Sequence, residues 1–287
     1  MPTIYEPLYL EGQEPTEPAF SPLIIRDNSS AAWREFRILV DFYRRGAHYG
    51  PDQVGILSPK FGLKTKVAAE QFIAFCNSNT MADVCLINPF PQIAYYSYNV
   101  WMQGEINHPG LTERAQGLLT ECGIGWDLSG VQRHDARVLC YSNFWVGSEN
   151  FWERYVGGVL NKIALHIERN PDRAAVAAVM GDTWHTDAAP FLPFIVERLF
   201  STFLSLESSI SVAAYPLPDV ASYCLTDYEC EMVTSLAPII DAADAIGSFA
   251  PELVRIQRLM CSLYVRYARE HFASHIHPHS GKTVSEG

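Results

Sequence analysis

Four groups of residues in this chain have the types and spacing to do chemistry. The first is a carboxylate beside a guanidinium, Glu197 and Arg198, in the apolar stretch PFIVERLFSTF at 193–203. A partly buried carboxylate on such a helix suits proton abstraction, and an ion pair with an arginine is the plain alternative. The second is the lysine run Lys60, Lys64 and Lys66 in PKFGLKTK at 59–66, directly after an apolar stretch. Ligands of open α/β sheets bind beyond the carboxyl ends of strands, so cations there face an anion such as a diphosphate. A solvated basic loop is the alternative. The third group is Tyr98, Trp101, Gln103, Glu105 and His108, within residues 88–111. Flat rings beside amide, acid and imidazole groups suit sugar recognition by stacking and hydrogen bonding; otherwise the rings pin a surface loop to the core. The fourth is GDTWHTDAAPF at 181–191, where Asp182, His185 and Asp187 either ligate a divalent ion or cap helices and line a loop.

The elements that must position these groups follow from hydrophobic spacing. Short apolar runs predict strands at 22–25, 54–58, 83–87, 137–146 and 210–215. Helical spacing predicts helices at 33–46, 67–77, 112–122, 149–168 and 191–203, then two long ones at 227–246 and 251–272. Asn143 falls inside one of the apolar strands, where it orients a ligand or satisfies backbone groups. The alternation predicts an α/β domain over residues 22–218, with a mixed, mostly parallel sheet flanked by helices. A Pro-rich extended arm at 1–21 precedes it, suited to docking on a partner chain. A helical extension at 219–272 and a polar, frayed tail at 273–287 follow, the helices offering a lid, an acceptor platform or a dimer surface.

Composition narrows the function classes. The chain has 287 residues, 48% of them hydrophobic, and carries a net charge of −11. An acidic chain without a dense Lys/Arg run is a poor nucleic-acid binder. No apolar run approaches the roughly 20 residues that cross a bilayer, and the acidic, Pro-rich start is unlike a signal peptide. A cytoplasmic location is expected, with work at the inner face of the membrane still open. The seven cysteines stand singly and form no C-x-x-C pair. That is the usage of reduced thiols, not of a zinc or disulfide framework. Motifs for hydrolases, P-loops, dinucleotide binding and zinc proteases are missing.

Two stretches in order carry a resemblance. In CYSNFWVGSENFWERY at 140–155, Asn143, Phe144, Phe151 and Tyr155 stand out; downstream, Glu197, Arg198, Leu199 and Phe200 form Glu-Arg-Leu-Phe. Together they resemble the second half of a bacterial glycosyltransferase-like domain family of GT-A type, found in polysaccharide and O-antigen clusters. Upstream, SSAAWREFRILVDFYRRG and QVGILSPKF are similar to that family's helix and following strand. The chain departs there, with Ser58, Pro59 and Lys60 where the family has Tyr-Arg-Arg. The likeness spans about residues 27–217.

The resemblance implies a GT-A-like, Rossmann-like fold and transfer of a sugar from a nucleotide-sugar donor to a glycan or other hydroxyl acceptor. Glu197 is then the general base, and Lys60, Lys64, Asn143 and Arg198 bind the donor. Tyr98, Trp101, Gln103, Glu105 and His108 meet the acceptor or sugar; the family has a Gln and a downstream His near this place. A Mn2+ or Mg2+ ion is the usual partner of the leaving phosphate, held by D-x-D, yet the sequence contains no D-x-D. Asp182, His185 and Asp187 are the remaining candidates for it, and Lys or Arg neutralisation is the alternative. The competing reading is a transferase-like subunit that binds glycan or scaffolds an assembly without catalysis. Self-association through the arm or the C-terminal helices is a further expectation.

Overall fold

Three-residue runs with every side chain buried form the centre of the sheet: β3 (Val54–Ile56), β4 (Val84–Leu86) and β5 (Trp145–Gly147). Central strands covered on both faces are apolar throughout, which explains why these runs do not alternate. Around them lie β1 (Thr3–Leu8), β2 (Ser21–Ile24) and β8 (Val212–Ala214), in the order β2-β1-β3-β5-β4-β8. Only β5 is reversed; it pairs antiparallel with both β3 and β4, while the other three pairings are parallel. A small ribbon, β6 (Asp182–Thr183) with β7 (Ala189–Pro190), stands apart. The computed structural model describes residues 1–50, 52–183 and 189–284.

Gly55 is a place where the sheet demands a glycine. A Cβ there would lie 2.7 Å from the Trp145 carbonyl oxygen and 2.7 Å from Val146 Cγ2.

Helices cover the sheet. In the first half they are α1 (Glu35–Arg44), α2 (Phe61–Thr65), α3 (Ala69–Ser78), α4 (Ile93–Tyr96), α5 (Val100–Asn107) and α6 (Leu111–Glu121). After β5 one helical run holds α7 (Glu149–Phe151), a π-helix at Trp152–Leu160 and α8 (Asn161–Arg169). Then come α9 (Ala174–Met180), α10 (Phe191–Leu206), α11 (Asp227–Ile246) and α12 (Pro251–Ser274). Phe42 of α1 packs on Tyr5 of β1 and on Trp152, at ring separations of 5.3 Å each. Trp145 stacks on Phe200 of α10 at 5.7 Å. Local chemistry sets several ends: the Asn99 side chain accepts two N–H groups at the start of α5, and Thr226 opens α11, which Gly247 closes at φ 72°.

The α/β architecture with a mostly parallel, mixed sheet is as expected. Four local expectations are corrected. Residues 3–8 are not an arm but strand β1, paired on both sides inside the sheet. Tyr5 and Leu8 are therefore committed to this chain's own core. Residues 88–111 are not one loop; they hold α4 and α5, separated at 97–99, where Asn99 caps α5. The strand expected at 137–146 shrinks to β5, and Asn143 lies before it in a left-handed turn, at φ 52° after Ser142 at φ 62°. Last, the tail folds back as far as Val284, whose N–H donates to the Phe272 carbonyl at 2.8 Å.

The C-terminal helices belong to the main core. Leu236, Ile240, Leu253 and Cys261 bury into the same hydrophobic cluster as the sheet, and α11 and α12 pack on α4. Among the described residues, no helix is long and apolar enough to cross a membrane.

Candidate functional site

A pocket of about 720 Å³ opens beyond the carboxyl ends of β3 and β4. Ser58, Lys60 and Lys64 follow β3, Phe90 and Gln92 follow β4, and Tyr141, Ser142 and Asn143 come from the turn before β5. Two further walls come from Glu197 and Arg198 of α10 and from Tyr264 and Ala268 of α12. His277, His279 and Ser280 of the folded-back tail complete it. This is where a mostly parallel sheet leaves a crevice, because successive loops diverge there.

The turn at Ser142 and Asn143 is the geometric centre of the polar wall. Ser142 N–H donates to Glu197 Oε1 at 2.7 Å, and Lys64 Nζ donates to Ser142 Oγ at 2.8 Å. Two successive left-handed residues store strain unless their surroundings hold them, and Asn tolerates the conformation better than most. Glu197 and Lys64 supply that hold. Asn143 is buried and its amide oxygen has no hydrogen-bond partner.

Lys64 is a cation shaped by its setting. Burial in the pocket wall pushes its pKa down; Glu197 and Glu35 oppose that, while Lys60 and Arg34 add to it. Its Nζ sits 5.5 Å from the Phe90 ring centre and 5.8 Å from that of Phe144. A partly desolvated ammonium whose hydrogen bond, among the described residues, goes to a neutral hydroxyl is a favourable place for an anion. Lys60 lies further out and donates to the His279 carbonyl at 2.9 Å.

Arg198, expected to bind the donor, is instead part of the frame. It is 2% exposed; its Nε donates to Val100 O at 3.0 Å, Nη1 to Phe194 O at 2.7 Å, and Nη2 to Gln103 Oε1. It stands 3.7 Å from Glu197 Oε2, a loose ion pair. Along α10, Arg198 and Ser201 are buried together with the apolar residues, while Glu197 stays partly exposed.

The expected sugar-binding group divides. Gln103 and His108 line the pocket, His108 stacking on Phe194 at 4.1 Å. Tyr98, Trp101 and Glu105 do not line it. Trp101 is in the core, donating to Thr202 Oγ1 at 2.9 Å, and Tyr98 reaches Gln132 Oε1 at 3.3 Å. Glu105 caps α6, accepting the Gly110 N–H at 2.6 Å and the Thr112 N–H at 2.9 Å. Burial pushes its carboxyl up, but those N–H groups and Arg114 outweigh that and hold it below the usual range.

Asp182 is exposed on β6, away from the pocket, and His185 and Asp187 lie outside the described residues. Among the described residues no three His, Cys, Asp or Glu side chains come together as metal ligands. The donor set beside Ser142 is cationic and does not fit a divalent ion.

Several pocket residues escaped the sequence reading. Arg34 and Glu35 reach it from the start of α1. Glu229 of α11 is 1% exposed and accepts the Leu225 N–H at 2.6 Å and the Tyr96 hydroxyl at 2.8 Å. Burial raises its pKa, against those bonds and the side chains of Tyr264 and Gln92. The signal for Glu229 was its place after Thr226 in a T-x-x-E capping pattern, which marks a helix start and not a pocket. Nothing local marked Arg34.

Among the described residues, five cations and three carboxylates line the pocket: Arg34, Lys60, Lys64, Arg198 and Arg269 against Glu35, Glu197 and Glu229. The whole chain has the opposite balance, at −11. No protein-family model, curated protein or solved structure matches this chain.

Proposed function

We propose that the protein is a glycosyltransferase that moves a sugar from a nucleotide-sugar donor to a hydroxyl acceptor. One observation carries the reading: Glu197 stands beside a cationic wall, at the carboxyl ends of β3 and β4, in an otherwise acidic chain. Transfer needs three things in one place, namely positive charge for a diphosphate leaving group, a base for the acceptor hydroxyl, and shelter from water. Lys60 and Lys64 supply the first. Glu197 supplies the second through Oε2, since Oε1 is occupied by the Ser142 N–H. The tail and α12 supply the third.

In the direct displacement, the acceptor oxygen bonds to the anomeric carbon and its proton passes to Glu197. The bond from that carbon to the phosphate oxygen breaks, and the nucleoside diphosphate leaves against the two lysines. Gln103 and His108 are the groups left to orient the sugar. A GT-A-type assignment accords with a mixed sheet carrying one reversed strand.

One observation favours a second reading, a glycan- or anion-binding subunit without catalysis. Glu197 is anchored by Ser142 and faced by Arg198, as a purely structural acceptor would be. A panel of nucleotide sugars, scored for binding and for turnover, decides between them. Release of nucleoside diphosphate by the parent supports transfer. Binding without release at any acceptor supports the subunit, and no binding removes both.

A further inference from the structure

Arg34 has a backbone that only an unusual demand explains. It sits at φ 50° and ψ −136°, between the 3-10 turn at Ala31–Trp33 and the first residue of α1. A side chain with a Cβ is strained in that half of the map, and such residues persist where function needs the direction they give. The direction here is into the pocket. Arg34 lines it, half-buried, with its guanidinium carbon 5.7 Å from the Phe194 ring centre. Among the described residues the guanidinium makes no hydrogen bond and no ion pair. Arg198, by contrast, spends all three of its nitrogens on the protein itself.

We propose that Arg34, Lys60 and Lys64 form a cradle for two linked phosphoryl groups, with Arg34 as the guanidinium that grips them. The proposal rests on the donor-site reading above and names its ligand chemistry. The three cations come from separate places, the start of α1, the end of β3 and α2, yet Arg34 and Lys60 both act on the Lys64 charge. All three line the same pocket, and a diphosphate offers them more charged oxygens than a single phosphate does. A guanidinium adds a planar fork that matches phosphoryl oxygens, which an ammonium does not. The neutral partners now held by the two lysines, Ser142 Oγ and the His279 carbonyl, are readily exchanged for charged oxygens.

Calorimetry with inorganic pyrophosphate and inorganic phosphate, without divalent cations, tests the cradle. The parent is expected to bind pyrophosphate more tightly than phosphate. Arg34→Gly should weaken pyrophosphate binding about ten- to hundred-fold, as for a lost charge-assisted contact. Glycine adopts a positive φ without strain, so this variant should melt no lower than the parent. Arg34→Gln keeps the strain and removes the charge, and must show the same loss of affinity. A parent indifferent between the two anions overturns the proposal, as does either variant binding pyrophosphate like the parent. A parent that binds pyrophosphate through Arg34 but releases no nucleoside diphosphate leaves the cradle standing and removes the transfer reading alone.

Discussion

Glu197 Oε1 accepts the Ser142 N–H at 2.7 Å, tying α10 to the left-handed turn that precedes β5. One carboxylate thus holds the shape of the polar wall and lines the pocket, its second oxygen 3.7 Å from Arg198. The two duties separate under substitution. Glu197→Gln keeps an oxygen for Ser142 and loses the base, so it is expected to melt close to the parent while turnover falls by about 10²–10⁴-fold. Glu197→Ala loses both. An active Gln variant ends the assignment of Glu197 as base.

Lys64 carries a pH signature. Burial holds its folded pKa below the ordinary lysine value, so the unfolded chain binds that proton more tightly. Its charge therefore costs the ligand-free fold stability at neutral pH. The cost fades as pH rises through the depressed pKa toward the unfolded value of about 10.4. Lys64→Met is expected to raise the ligand-free melting temperature at pH 7, with the gap closing near pH 10, and to abolish stabilisation by added pyrophosphate. Melting curves at both pH values, with and without pyrophosphate, check this.

His134 should make the fold sensitive to acid. Its Nδ1 accepts the Val100 N–H at 3.4 Å and its Nε2 meets Ser205 Oγ at 3.2 Å, all within the core. Burial, aided by Arg133, lowers its pKa to about 3, with Asp135 opposing. Below its unfolded value of about 6.5 the unfolded chain takes up a proton that the folded one refuses, so stability is lost as pH falls from there toward 3. His134→Gln is expected to flatten that loss. Equal slopes for parent and variant between pH 6.5 and 4.5 would remove His134 as its source.

Gly104 makes room for Arg198. A Cβ at this point of α5 would lie 2.2 Å from Arg198 Nε and 2.8 Å from its Cδ. Gly104→Ala must displace the guanidinium from the Val100 and Phe194 carbonyls, at a cost of about 1–3 kcal/mol for an overpacked site. Denaturant midpoints measure it. A variant as stable as the parent would mean that Arg198 relaxes without loss and does not frame the pocket.

The sequence by itself determined the elements whose identity depends on local pattern. Helical spacing placed α11 at Asp227–Ile246, and the buried runs at β3 and β4 were legible because central strands need no alternation. Tertiary structure decided everything that depends on company. Residues 3–8 look like a free arm because their hydrogen bonds come from other segments, β2 and the more distant β3. Arg198 looks like a surface cation because nothing near it in sequence reveals the Val100 and Gln103 oxygens that accept its protons. Tyr98 and Trp101 share a stretch with Gln103 and His108, but the fold leaves the first pair out of the pocket lining and brings the second pair into it. Lys64 and Glu197 were legible as residue types, and Arg34 and Glu229 were not. A pocket assembled from segments far apart in the chain records its members in no local pattern, because the fold alone sets the distances between them.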